Sequence, residues 1–167
     1  MSTYVLIYAL VLGALFASPP STQADSRLTN ISTRALVQTD ANVMIGGFII
    51  GGDTPKTVMV RAIGPSLANF GVPGALADPT VRLFSGQTAI AENDDWQVSL
   101  PLCQQSGHTC GGPADIAATG SAPSHPLEAA ILITLNPGPY TAIVSGVGGT
   151  TGVGLVEVFE VTLATGP

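Results

Sequence analysis

The sequence predicts an all-β protein, an antiparallel and jelly-roll-like β-sandwich of about seven to nine strands, preceded by a signal peptide. Three observations lead there. Apolar residues make up 46% of the 167 positions, yet they fall in short runs and not in long amphipathic stretches. Several of those runs, VMIGGFII, TVMVRAI and AAILITL among them, are rich in β-branched residues that suit a pleated, half-buried surface. Between the runs stand 20 glycines and 13 prolines together with Asn and Asp, the residues that turns need.

The first element is the export signal. Residues 4–17 read YVLIYALVLGALFA, a stretch without a charge. It is shorter than the roughly 20 apolar residues that span a bilayer. A Pro19-Pro20 break and the small residues around Ala24 follow, the layout of a secretory signal, with cleavage expected after Ala24. Residues 1–24 are then the signal peptide and residues 25–167 a single sandwich domain with no stable membrane span. The segment Met1-Ser2-Thr3 lacks a basic side chain, so an uncleaved anchor is the competing reading.

Strands are expected near residues 33–38, 42–50, 57–63, 80–84, 88–92, 129–135, 140–147 and 153–163. In the fourth, Val81 and Leu83 point to one face and Arg82 to the other, because side chains alternate along a strand. Ser85-Gly86-Gln87 then closes a hairpin. Asn136-Pro137-Gly138-Pro139 is a turn, and the segment from Gly148 to Gly152 joins the last two strands, which are expected to be antiparallel neighbours. Helix is expected only in short pieces at residues 65–70 and 114–119.

Charge narrows the partners. Eleven acidic residues against five basic ones leave a net −6, too little positive charge to neutralise a run of phosphates. Nucleic acid and anionic membrane surfaces are therefore not expected partners. Charged residues are 10% of the chain where about 25% is usual. An exterior so poor in charge points to self-association or to an extracellular polymer as partner.

No catalytic constellation is evident, and a non-catalytic role is expected. GVGGTTGVG lacks the third glycine of a dinucleotide loop, and no P-loop precedes Lys56, the only lysine. Gly64-Pro65-Ser66-Leu67-Ala68 lacks the closing glycine of a nucleophile elbow, and His108 and His125 fall in loops. The glycines are better read as turn and close-packing positions.

Two polar features remain. Glu92, Asn93, Asp94 and Asp95 put three carboxylates and an amide in four successive positions, hard oxygen ligands of the kind calcium takes. They converge only if the strand ends at Glu92, and a turn whose Asp and Asn side chains bond their own backbone is the alternative. Trp96 beside them reads as a core plug. Cys103 and Cys110 close the octapeptide CQQSGHTC, an even pair that in an exported protein reads as a disulfide. A metal site using Cys103, His108 and Cys110 is the alternative, although its spacing fits no common zinc pattern.

In order, IGGFIIGG, KTVMVRAIGPSLANFGVPGALADP, VRLFSGQTAIAENDDW, ADIAATGSAP and LEAAILITLNPGPYTAIVSGVGGTTGVGLVEVF resemble a poorly characterised family of exported bacterial β-domains, over nearly all of residues 30–162. Leu83-Phe84 through Asn93-Asp94-Asp95, with Gly138-Pro139-Tyr140, are also similar to the pre-peptidase C-terminal domains of secreted enzymes. The second resemblance implies a β-sandwich, in some members one that binds calcium or matrix polymers. The Cys103 to Cys110 loop departs from both patterns. Two functions are therefore expected in competition: a secreted structural subunit of an extracellular layer, fibre or matrix, or a calcium-dependent module binding a polysaccharide or matrix protein. In the first, residues 25–38 could add a strand to a neighbour's sheet.

Overall fold

The expected β-branched runs become the strands of two packed antiparallel sheets in a computed structural model, which describes residues 30–161. The signal peptide, its cleavage point and the end of the last expected strand lie outside the described residues. In chain order the strands are β1 (Asn30–Val37), β2 (Met44–Ile50), β3 (Lys56–Ile63), β4 (Pro79–Ser85), β5 (Thr88–Asn93), β6 (Thr109–Gly111), β7 (Ala129–Leu135), β8 (Gly138–Gly146) and β9 (Gly152–Glu160). Two short helices, α1 (Pro101–Gln105) and α2 (Pro113–Ala118), flank β6, and a 3₁₀ turn runs over Pro65–Phe70. Among the described residues no helix is long and apolar enough to cross a membrane.

One sheet has the order β1-β9-β3-β7-β6 and the other β2-β8-β4-β5. The pairing is nested: β1 with β9, β2 with β8, β3 with β7 and β4 with β5. The chain is thus one long hairpin with its tip at the β4–β5 turn, rolled so that successive rungs alternate between sheets. That winding is the jelly roll, and β9–β3 and β8–β4 pairing closes it. At the tip Gly86 adopts φ 58°, a conformation that glycine takes without steric cost.

Rolling also corrects one expectation. β8 and β9 are not paired; they belong to different sheets. The Gly-rich segment between them contains a 3₁₀ turn, Val147–Gly149, and carries the chain across the sandwich instead of folding it back as a hairpin. Stacked sheets lie about 10 Å apart, farther than the spacing of paired strands, so a two-residue turn would not suffice.

Alternation sets the core. Val58 and Val60 of β3, Ile131 and Ile133 of β7, and Ala142 and Val144 of β8 all face inward and are buried. Phe48 and Tyr140 stack across the β2–β8 pair with centroids 5.7 Å apart. Each large aliphatic side chain so buried contributes roughly 1.5–3 kcal/mol. β7 is buried on both faces because a second cluster covers its outer side, where Met59, Ala130 and Leu132 pack with Ile116 of α2 and with Trp96. Trp96 is therefore a plug, but for this outer cluster and not for the main core.

Two glycines permit the closest backbone approach. A Cβ on Gly64 would lie 2.3 Å from the Leu76 carbonyl oxygen, and one on Gly152 would lie 2.7 Å from the Leu76 backbone nitrogen. Between them the segment at Leu76 is held to β9: Leu76 N–H donates to Val153 O at 2.8 Å and Val153 N–H to Gly74 O at 2.7 Å.

Candidate functional site

The two ends of each sheet differ in how their edges are finished. The connection from β5 to β7 folds back over one flank. There α1 places Leu100 and Cys103 in the main core, and Cys103 is bonded to Cys110. Both thiols are consumed in that disulfide, so they are not available to the Cys103, His108, Cys110 metal alternative. The Ser106 hydroxyl donates to Ile90 O of β5 at 2.9 Å, and β6 adds a short strand along β7 from Thr109↔Thr134 to Gly111↔Leu132. Backbone groups that would otherwise face outward from β5 and β7 are thereby covered.

The opposite flank is bare. Among the described residues β1 pairs only with β9 and β2 only with β8. β2 reads MIGGFII, seven residues with no charge and no proline, the devices that blunt most sheet edges. Ile45 and Ile49, on its outer face, are 59% and 77% exposed. Their register partners on β8 are Ile143 and Pro139, so the apolar strip is two strands wide. Gly47 lies between them, and a Cβ there would meet nothing within 4 Å. Residues 30–37, part of the segment expected to donate a strand, are paired in the chain's own sheet with Gly152 to Phe159 of β9.

The four residues marked for calcium do not converge. Glu92 pairs with Arg82 across the exposed face of β4 and β5 at 2.8 Å. Asn93 turns inward, accepting from Ala130 N–H and donating to Asp95 O, both at 2.9 Å, which ties β5 to β7. Asp94 accepts from Asp95 N–H at 3.0 Å, a side-chain bond to the local backbone as the alternative expected. Asp95 instead faces a residue the sequence did not single out. Its buried Oδ1 and that of Asp78 both lack a hydrogen-bond partner among the described residues, as does Trp96 Nε1. Burial first, then repulsion by Asp95 and Asp94, holds the Asp78 carboxyl above its ordinary value, with His125 partly offsetting them. Among the described residues no group of three or more His, Cys, Asp or Glu side chains could hold a metal ion.

A second polar cluster was also missed. Glu128 is fully buried, and among the described residues it forms no ion pair. Its Oε1 accepts from Gly64 N–H at 3.2 Å, Ser66 N–H at 2.9 Å and the Ser66 hydroxyl at 2.5 Å, and its Oε2 from His125 N–H at 3.3 Å. Ser, Glu and His meet here without forming a nucleophile and base. The serine donates straight to the carboxylate, while His125 Nδ1 accepts from Leu127 N–H at 3.2 Å. The arrangement fastens the β5–β7 connection to the start of the 3₁₀ turn. The only sequence signal was an acidic residue directly before the apolar run of β7.

No protein-family model, curated protein or solved structure matches the chain. The functional reading therefore rests on the geometry of the two flanks and the acidic corner.

Proposed function

We propose that the protein is a secreted, non-catalytic structural sandwich that assembles with copies of itself outside the cell, edge to edge through the flank of β1 and β2. The observation that supports this reading is the uncharged β2 edge with Ile45 and Ile49 exposed beside it. An open edge offers unpaired N–H and C=O groups, and a neighbour's strand satisfies them while covering the apolar strip. With a net −6, copies repel one another, so the uncharged β2 edge is where approach costs least.

Light scattering on residues 25–167, with electron microscopy of the large fractions, tests it. Ordered assemblies are expected from the parent chain and monomers from an Ile45→Lys, Ile49→Lys double variant with an unchanged melting curve. A monomeric parent at all concentrations would end the reading. Truncation within residues 25–36 is the poorer probe, because it removes part of β1.

The calcium-dependent binding module is the second reading, and one observation favours it: the buried, unpartnered carboxylate oxygens of Asp78 and Asp95. Oxygens without a donor are what a hard cation satisfies. Calcium should then raise the melting temperature of the parent and leave an Asp95→Asn variant unmoved. Equal melting of the parent in calcium and in chelator counts against it.

A further inference from the structure

We propose that the outer face of the five-stranded sheet carries a binding groove for a monoanionic amphiphile, a single carboxylate on an aliphatic chain. The groove encloses about 640 Å³, within the usual range for small-molecule sites. Its floor is Ile63 and Leu155, register partners on β3 and β9, and Leu67 and Val72 line it as well. Phe70, at the end of the 3₁₀ turn Pro65–Phe70, borders the same groove and is 82% exposed. The apolar floor with the exposed Phe70 ring beside it offers surface along which a hydrocarbon chain can lie.

Charge selects the head group. Arg34 on β1 is the register partner of Leu155 and is exposed. Lys56, Arg61 and Arg82 each pair with a glutamate, while Arg34 has no ion-pair partner among the described residues. Arg61 is matched by Glu157 on the same face, and Glu128 is occupied by the donors around Ser66. The basic and acidic side chains lining the groove thus number two each, Arg34 and Arg61 against Glu157 and Glu128. A single negative charge placed at Arg34 completes an ion pair there; the second charge of a dianionic phosphate would find no further unmatched cation among the described residues lining the groove. The groove lies on a sheet face, apart from the β2 edge, and does not depend on self-assembly.

Calorimetric titration with decanoate below its micelle concentration, against decanol and decyltrimethylammonium, tests the assignment. Decanoate is expected to bind at least about tenfold more tightly than either, a difference of about 1.4 kcal/mol. Arg34→Gln should bring decanoate down to the affinity of decanol, and Phe70→Ser should weaken both alike. Both side chains are exposed, and an unchanged melting curve identifies folded variants. Absence of decanoate binding to the parent, parental affinity in Arg34→Gln, or equal binding of the ammonium would each overturn the assignment.

Discussion

The flank of β5, β6 and β7 and the flank of β1 and β2 finish the same two sheets in opposite ways. On the first, the β5–β7 connection supplies an extra strand along β7, a disulfide, a helix against the outer face of β7 and a buried glutamate that ties the connection to the 3₁₀ turn. On the second, no described residue pairs with the outer edge of β2, and its outward side chains include the exposed Ile45 and Ile49. Exposed hydrophobic edges invite pairing with other chains, and natural sheets usually carry a lysine, a proline or a bulge against it. Among the described residues one flank is covered and the other left open, and on the proposed reading the open one is the surface for contact.

The largest expected effect comes from releasing the closed flank at Glu128. Glu128→Ala leaves three buried donors, Gly64 N–H, Ser66 N–H and the Ser66 hydroxyl, and the part-buried His125 N–H without this acceptor. Orphaned buried groups cost about 1–3 kcal/mol each, and partial rehydration lowers the sum, so a loss of about 3 kcal/mol or more is expected in urea unfolding. Glu128→Gln, which keeps one acceptor, should lose less. A change under about 1 kcal/mol would show that the connection is held by its apolar contacts and that the carboxylate is incidental.

The disulfide comes next. Replacing Cys103 and Cys110 together by alanine opens a short loop and should cost about 2 kcal/mol on chain-entropy grounds. It also tests what the loop is for. Amide exchange should rise in β5 near Ile90 and in β7 near Ile133, the residues bonded by Ser106 and by β6. If association also increases, the closed flank has become a second open one. Faster exchange confined to residues 103–110 would mean that the edges are protected without the bridge.

How much of this could be read in the sequence divides along the same line. Each of the eight expected strands overlaps an observed one, because β-branched content and turn residues are local signals. β6 was not foreseen, since three residues within a cysteine loop carry no periodicity. The pairing of β8 and β9 was misread because a glycine-rich segment looks alike whether it folds back or crosses between sheets. At the site, the Cys103–Cys110 bridge was expected from the even cysteine count and the export expected for the chain. The Glu92–Asp95 cluster was visible, but not that Glu92 and Asn93 would turn to opposite faces, one to Arg82 and the other to Ala130. Asp78 and Glu128 act through residues distant in sequence, and no local pattern marks such partnerships. The bare flank was hinted at by low charge, yet which strand would be the edge depends on topology.

The smallest expected effect sharpens the comparison at the corner where the closed flank begins. Asp78 meets Asp94 and Asp95 there, and its carboxyl is raised above 3.8 by burial and by their charge. An acid with a raised folded-state value holds its proton more tightly folded than unfolded. Between 3.8 and the raised value the folded chain therefore binds more protons, so stability falls as pH climbs through that window, and the deficit persists at pH 7. Asp78→Asn removes the charge and should raise the melting temperature at pH 7 by about 1–2 °C. Below pH 3.8 both chains are neutral at this position and their melting temperatures should converge. A constant offset at every pH would mean that the amide packs differently and that charge is not the cause. If the parent loses its deficit when calcium is added at pH 7 while Asp78→Asn does not respond, the repulsion is the mark of a cation site, and weight moves from the open flank to this corner.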